Sequence, residues 1–521
     1  MDSTGMDKAP TPMQQINEAY KCCKFGWFHI KLLAAAFVGT VASILVTCTT
    51  SYLLPTAECD LNNMSLLEKG LLNASPYFGM IVSSVIAGFL TDTFGRKFFL
   101  KLGFAGIFVF TVLGGSSQSY NMLVAAKFFE GILFATAVSA LVTVTSEFCH
   151  KDIRDRVMLC QSSFAAVGQT IIPAMAWGIL IRDWRYSFFD GYVVLNTWNF
   201  YLYAMSLWSL ASFIMYAFIP ESPKYLITKK KYAEAREIII KIYVENTGNA
   251  RTTFPYPDLW KNEEKDQKLK DTPITKSISH QIVVGLQTVK VLFRNPLLLY
   301  LITLSIMNFL TMGKYNMVRL WYPQISTIIE HGDISGVDLC VLLDKYTEDL
   351  RLKSNLTMYE CVPTKSGTET YVNTIIIGCV CILPFFISGA LVNRVGKKSL
   401  FISSSLICVG ANLGLRWADS KSTIVALFSL DIAVSQCMKG LIQVQAVEFF
   451  PTAVRTLAMS IIMLSARMGT LLANILLPIL LDMGCMILFF SLSGVMICIT
   501  ILSIFLPSKK IECHTDKRIK K

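Results

Sequence analysis

Apolar residues in this chain gather into long runs separated by short polar stretches. Twelve runs stand out: His29 to Leu54, Leu71 to Leu90, Phe98 to Ser116, Met122 to Thr145, Val157 to Ile181, Tyr201 to Ile219, Leu297 to Leu320, Tyr371 to Val392, Ser399 to Trp417, Thr423 to Val447, Thr456 to Leu481 and Cys485 to Leu506. Each holds about 20 residues, enough for a helix to cross a hydrocarbon core of about 30 Å. Backbone amides in lipid must find partners within their own segment, so the runs predict helices. Barrel strands would be about half as long and would alternate. The pattern therefore predicts an all-α membrane protein with twelve transmembrane helices.

The two halves of the chain repeat each other at a constant offset of 301 residues. Gly88, Leu90, Gly95 and Lys97 return as Gly389, Leu391, Gly396 and Lys398, while Asp92 and Arg96 return as Asn393 and Lys397. Glu147, Phe148 and Arg154 return as Glu448, Phe449 and Arg455, and Gly168 as Gly469. Register kept across four places predicts an internal duplication, two pseudo-symmetric six-helix bundles parallel about an axis along the membrane normal. The resulting organisation is an N-terminal segment 1–28, a bundle 29–219, a linker with short helices 220–295, a second bundle 296–506 containing an outer loop 327–370, and a basic tail 507–521.

Composition agrees, since 53% of the 521 residues are hydrophobic and 16% charged, which excludes an ordinary soluble domain. Charge sets an orientation. The 220–295 connection carries 14 Lys and Arg against 9 Asp and Glu, whereas 327–370 carries 4 against 8. Basic loops stay in the cytosol, so the linker and both termini are expected inside and the acidic loop outside. The acidic loop holds the sequon at Asn355, and a second sequon at Asn63 falls on the same side, so both are expected glycosylation sites. Cys340 and Cys361 share that loop and are expected to pair, which leaves Cys59 over. Most of the other cysteines lie inside apolar runs as small hydrophobes. Cys22 and Cys23 are a candidate palmitoylation site or an unmodified pair. The polar start and the long first run predict no cleavable signal peptide. Tyr232 to Val244 reads as a short amphipathic helix and Asn262 to Lys270 as a solvated charge run. The basic tail is expected to touch anionic inner-leaflet lipid. The net charge of +12 sits in cytosolic loops, so nucleic-acid binding is not expected.

The stretch Gly88-Phe-Leu-Thr-Asp92-Thr-Phe-Gly95-Arg96-Lys97 resembles the signature between helices two and three of the major facilitator superfamily. Glu147-x6-Arg154, Pro220-Glu221-Ser222-Pro223-Lys224-Tyr225-Leu226 and Glu448-Phe-Phe-Pro451-Thr-Ala-Val-Arg455 resemble further motifs of that family. Together they resemble the branch of sugar porters, organic-ion transporters and synaptic vesicle glycoprotein 2 relatives. Sugar porters show glutamines in the seventh helix, where this chain reads Leu304-Ser-Ile-Met-Asn308-Phe-Leu-Thr-Met-Gly313. The stretches Ser465-Ala-Arg467-Met-Gly469 and Leu320-Trp321-Tyr322-Pro323, with the long cysteine-bearing loop, are similar to the synaptic vesicle 2-like and organic-ion members. The resemblance implies the twelve-helix fold, transport by alternating access, and a gating role for Gly88, Asp92, Gly95, Arg96, Glu147, Arg154, Asn393, Glu448 and Arg455. Asn393 in place of an aspartate implies unequal halves.

Substrate chemistry is sought among polar groups inside the runs, where a charge is costly unless it faces a cavity or a partner. Lys127 and Glu130 lie three apart on one face and can neutralise each other; the family commonly holds Arg where Lys127 stands. Gln436, Lys439 and Gln443 form one stripe, Asn308, Tyr315 and Arg319 another with Lys314 nearby, and Arg467 stands mid-run. Five basic groups (Lys127, Lys314, Arg319, Lys439, Arg467) face two acidic ones (Glu130, Asp431), a surplus that suits an organic anion or zwitterion. Lys314 and Arg319 lie close enough to the outer end to snorkel instead. No Walker motif, catalytic constellation or metal-ligand spacing appears, so neither an enzyme nor a cofactor is expected. Glu130 and Asp431 are candidate proton carriers if H+ rather than Na+ couples transport. Two readings stand: a secondary active or facilitative transporter of a small organic solute, or a transporter-shaped glycoprotein acting as a receptor, trafficking partner or vesicle component. Either belongs in a plasma membrane or a secretory or synaptic-type vesicle membrane.

Overall fold

The computed structural model describes residues 12–61, 63–261, 292–332, 338–354, 361 and 364–506. The N-terminal half contains α2 (Trp27–Ala57), α3 (Leu66–Phe94), α4 (Arg96–Gly115), α5 (Tyr120–Glu147), α6 (Lys151–Leu180) and α7 (Thr197–Phe218). The C-terminal half contains α10 (Leu297–His331), α12 (Thr368–Val380), α13 (Leu383–Val395), α14 (Lys397–Arg416), α15 (Lys421–Phe449), α16 (Thr452–Asp482) and α17 (Cys485–Phe505). Short helices α1 (Pro12–Cys23), α8 (Pro223–Thr228) and α9 (Tyr232–Thr247) lie on one face of the bundle, here called the linker face. On the opposite loop face lie α11 (Leu339–Ser354) and a hairpin in which β1 (Arg185–Phe188) pairs antiparallel with β2 (Val193–Asn196). Ten of the described helices are long and apolar enough to cross a membrane. With α3 and the α12–α13 pair they make twelve spans.

Polar caps cut the apolar runs into helices. Ser65 and Glu68 form a capping box at the start of α3, and Ser119 and Ser420 cap α5 and α15. Gly95 and Gly396 separate α3 from α4 and α13 from α14 at φ of +104° and +86°, a region open mainly to glycine, which is why both copies of the motif keep it there. The eighth span departs from the expected unbroken run. Pro384 lacks the N–H that would reach the carbonyl of Val380, so Ile382 bonds back to Cys379 and the helix restarts at Leu383. The seventh span overruns its expectation: at 35 residues α10 is about 52 Å long and projects from the loop face.

The halves meet along α3 against α16 and α6 against α12, with α2 beside α10. On the linker side α1 is held to α9: the Asn246 amide donates to the carbonyls of Cys23 and Lys24, and its oxygen accepts from Phe28 N–H. Cys23 is buried there and donates to Ile239, and burial pushes its thiol up to about 12, so it is not presented as a palmitoylation site. The segment Asn262 to Lys270, the Asn355 sequon and the tail 507–521 lie outside the described residues. Asn63 is exposed.

The expected Cys340–Cys361 disulfide is wrong. Cys340 pairs with Cys485 at a Cα separation of 5.1 Å, and Cys361 pairs with Cys59 at 5.5 Å. Reading 327–370 as an unstructured loop allowed its two cysteines to meet. Cys340 instead stands in the first turn of α11, facing the start of α17, while Cys361 lies beyond the far end of that helix. The Cys59–Cys361 bond joins the two halves on the loop face, where Lys365 and Asp183 also pair across them.

Candidate functional site

The five cations placed inside the spans meet different fates. Lys127 is buried in α5 and donates to both oxygens of Glu130, at 3.1 and 2.9 Å, and to Thr49 of α2 at 3.1 Å. Lys314 is buried in α10, pairs with Asp431 of α15, and donates to Ser435 at 3.2 Å. Asn412 of α14 donates to the same aspartate at 2.9 Å. These two lysines are therefore neutralised by the only two carboxyls that the sequence places in the runs. Burial between helices, not a snorkelling path, fixes Lys314.

Arg319, Lys439 and Arg467 have no such partner among the described residues. Arg467 of α16 donates to the Met80 carbonyl of α3 at 3.1 Å, so it bridges the halves. Arg319 stacks over Tyr315 at 5.4 Å from the ring centre and hydrogen-bonds Tyr77, while its buried Nε has no hydrogen-bond partner among the described residues. Tyr52, Tyr77 and Cys48 of the N-terminal half and Cys381 of the helix break lie within electrostatic range of its guanidinium. Lys439 is near enough to Arg319 for the two cations to repel each other. Arg319 opens on a cavity of about 40 Å³ lined also by Cys48, Tyr52, Gln169, Tyr322 and Thr374. That volume holds a few waters and no organic solute. Walls from α2, α6, α10 and α12 place it between the halves.

The other expected contact residues divide. Tyr315 belongs to the Arg319 cluster. Asn308 is spent inside the C-terminal half, donating to the Ile462 carbonyl at 2.8 Å. Gln436 is buried with its Oε1 free of hydrogen bonds among the described residues, and Gln443 reaches only the Met463 sulfur at 4.0 Å. Sequence reasoning missed Tyr52, Tyr77, Tyr322, Cys48 and Gln169. Their mark in the sequence, a polar tip inside an apolar run, is shared by many interface anchors, so it did not single them out.

On the linker face Arg96 pairs with Glu147, and Lys397 with Glu448 at 2.8 Å, the same two repeat positions in each half. Each pair stays within its own half, joining α4 to α5 or α14 to α15. The first is covered by the segment after α7: Glu221 accepts from Lys97 N–H at 3.3 Å, and Ser222 bonds Glu147. Lys224 lies beside this pair and under the ring of Tyr20 from α1, at 5.8 Å. Burial lowers the Lys224 ammonium from its ordinary value, opposed by Glu147, and burial raises the Tyr20 hydroxyl. Arg455 donates to the Phe450 carbonyl at 3.2 Å, and Arg154 is exposed. Gly88 lies within α3, and the side chains of Asp92 and Asn393 are outside what the structure describes.

Comparison with known proteins is consistent with this geometry. The structure is similar to the inward-open xylose transporter XylE of E. coli, with a TM-score of 0.64 and 18% identity, covering 93% of this chain and 98% of that one. Human synaptic vesicle glycoprotein 2B is 24% identical over 314 residues, 58% of this chain and 45% of its own length. The chain thus spans under half of that relative. Organic cation/carnitine transporter 7 of Arabidopsis thaliana is 24% identical over 473 residues, 88% of this chain and 86% of the relative. The profile of the "Sugar (and other) transporter" family matches residues 32–325 and 360–514, most of the chain. This integral multi-pass membrane protein belongs to that family, within the major facilitator superfamily and its synaptic vesicle 2-like and organic-ion branch.

Proposed function

We propose that the protein carries a small organic anion, a carboxylate, across its membrane by alternating access. One observation carries this reading. Lys127 and Lys314 each have a carboxylate, whereas Arg319 and Lys439, together between the halves, have none among the described residues. A guanidinium presents a planar fork of donors that matches a carboxylate. The rings of Tyr52, Tyr315 and Tyr322 supply apolar walls for the rest of the solute. The present cavity is too small for such a solute, so entry requires the halves to part. Charge on the loops puts the linker face in the cytosol in this reading. Similarity to a protein named for organic cations and carnitine supports a small organic solute. Glu130 and Asp431 are held by lysines, so the reading uses neither as a proton carrier.

Full-length protein in liposomes should take up labelled benzoate and not tetraethylammonium. Arg319→Gln should cut benzoate uptake at least about 30-fold, the loss expected when one partner of a buried charge pair is removed. Uptake of the cation, or benzoate uptake unchanged by Arg319→Gln, would refute an anion site. No uptake of any solute would favour the receptor or vesicle-component reading.

A further inference from the structure

We infer that the Cys59–Cys361 bond is a redox-operated strap: while it is oxidised the two halves stay together on the loop face, and a thiol reductant that cuts it lets that face open. The inference is independent of which solute is carried and rests only on the alternating-access part of the reading above.

The two disulfides stand in different surroundings. Cys340 and Cys485 are buried, at 2% and 0% exposure, and their bond stays inside the C-terminal half. Cys59 and Cys361 are both partly exposed, and their bond runs between the halves. A thiolate must reach a sulfur to break a disulfide, so exposure opens the second bond to attack while burial protects the first. The chemistry balances with a small-molecule thiol as the reductant. Its thiolate attacks one sulfur to give a mixed disulfide, and a second thiol displaces that intermediate. Cys59 and Cys361 are left as thiols, and the reductant leaves as its own disulfide.

Both ends of the strap are anchored. Glu58, one residue before Cys59, pairs with Lys69 of α3 at 2.9 Å, and Asp60, one residue after, accepts from the Trp198 indole of α7 at 2.9 Å. On the other side Ser366, five positions after Cys361, bonds Thr327 of α10 at 2.6 Å. Glu330 of α10 then accepts from the N–H groups of Gly367 and Glu369, at 2.8 and 3.0 Å. The bond therefore ties one half to the other with little chain to spare.

The contacts beside it are close. Lys69 is fully buried and hydrogen-bonds Tyr346 of α11 across the halves. A Cβ added at Gly70 would lie 2.7 Å from the Asn474 carbonyl oxygen of α16. The Lys365–Asp183 pair nearby is exposed and contributes little alone. A tether keeps such contacts at high effective concentration, so each re-forms as soon as it breaks. It also restricts the parted form, as a cross-link restricts an unfolded chain. Cutting it frees the parted form and leaves the shut one as it was.

The test uses full-length protein in nanodiscs, where both faces meet solvent. The protein is treated with reduced glutathione, washed, and exposed to sulfosuccinimidyl acetate, which acylates lysines that water reaches; mass spectrometry reads both the disulfides and the lysines. Glutathione is expected to cut Cys59–Cys361 while Cys340–Cys485 persists. Lys69 should then be acetylated at least about tenfold faster than in the oxidised protein. Lys127, buried inside the N-terminal half, should stay unreacted in both. Cys59→Ser with Cys361→Ser should behave like the reduced protein without any glutathione. An unchanged Lys69 rate after the bond is cut, prior loss of Cys340–Cys485, or Lys127 reacting along with Lys69 as in general unfolding would each overturn the strap. The reduced wild type decides the matter even if the double variant fails to fold. Benzoate uptake separates the two readings: Lys69 uncovered with no solute carried would sink the carrier and keep the strap, and uptake with Lys69 unmoved would do the reverse.

Discussion

Each half buries an acid at the same place in the repeat, Glu130 and Asp431, yet the two halves neutralise it differently. In the N-terminal half the cation is Lys127, three residues back on the same helix. In the C-terminal half it is Lys314, which reaches α15 from α10. A pair within one turn forms with the helix and says little about where that helix sits. A pair between helices fixes α10 against α15, and α10 also carries Arg319 into the centre. The duplication kept the buried acid while its partner moved, so similar charge at matched positions does different structural jobs. Lys314→Met is expected to cost about 3–5 kcal/mol because it strands a buried carboxylate, and it should lower the melting temperature sharply in detergent. The double variants separate the halves. Lys127→Leu with Glu130→Leu should recover most of its stability, since Thr49 and Thr111 lose a partner but Thr111 keeps its bond to the Ile107 carbonyl. Lys314→Leu with Asp431→Leu should recover less, since it removes the tie between α10 and α15 as well as a partner of both Asn412 and Ser435. Equal recovery would erase the distinction drawn here.

A second matched position sharpens the contrast. Gly168 and Gly469 stand 301 residues apart, in the fifth and eleventh spans. A Cβ added at Gly469 would lie 2.1 Å from the Phe309 carbonyl oxygen of α10, backbone that cannot yield without moving a helix. At Gly168 the first atom met is the tip of Ile44, at 2.9 Å, a side chain that can rotate away. Gly469→Ala should therefore cost about 1–3 kcal/mol as overpacking, and Gly168→Ala within about 0.5 kcal/mol. Thermal melts of the two variants, run in parallel, check this. A Gly168→Ala loss as large as that of Gly469→Ala would mean that both helices are equally confined.

Much of this architecture is legible in the sequence because lipid leaves the backbone few options. Long apolar runs become helices, and a conserved offset between motifs becomes two similar bundles. What depends on distant partners is not legible. The basic surplus is visible in the chain, but that Asp431 takes Lys314, 117 residues away, and leaves Arg319 without a carboxylate among the described residues is decided by how α10 rotates against α15. The Cys59–Cys361 and Cys340–Cys485 bonds span 302 and 145 residues, beyond any argument from neighbouring positions. Peptide mapping without reduction should recover those two linkages and no Cys340–Cys361 peptide. Two local features were legible and went unread. Pro384 marks the break in the eighth span, and Asp190-Gly191, with φ of 52° and 95°, marks the turn of the hairpin.

The smallest expected difference lies on the linker face, where the repeat places Arg96 with Glu147 and Lys397 with Glu448. Side-chain exposure is 18% and 11% in the first pair and 37% and 41% in the second. The covering segment explains this: after α7, Ser222 bonds Glu147, Lys224 lies beside it with Tyr20 behind, and Glu221 accepts from Lys97 N–H, whereas the described C-terminal half ends at Leu506 with Lys398 donating to the Ile504 and Leu506 carbonyls. Exposed pairs are worth about 0–1 kcal/mol, and pairs shielded from water cost more to break. Glu448→Gln should therefore leave the melting temperature almost unmoved, while Glu147→Gln should lower stability by about 1–3 kcal/mol and weaken the seating of α1 and α8. Limited proteolysis between α7 and α9 reports that loosening independently of the melt. If Glu448→Gln matched Glu147→Gln in both measurements, the covering segment would contribute nothing, and the two charge pairs would be equivalent despite their different burial.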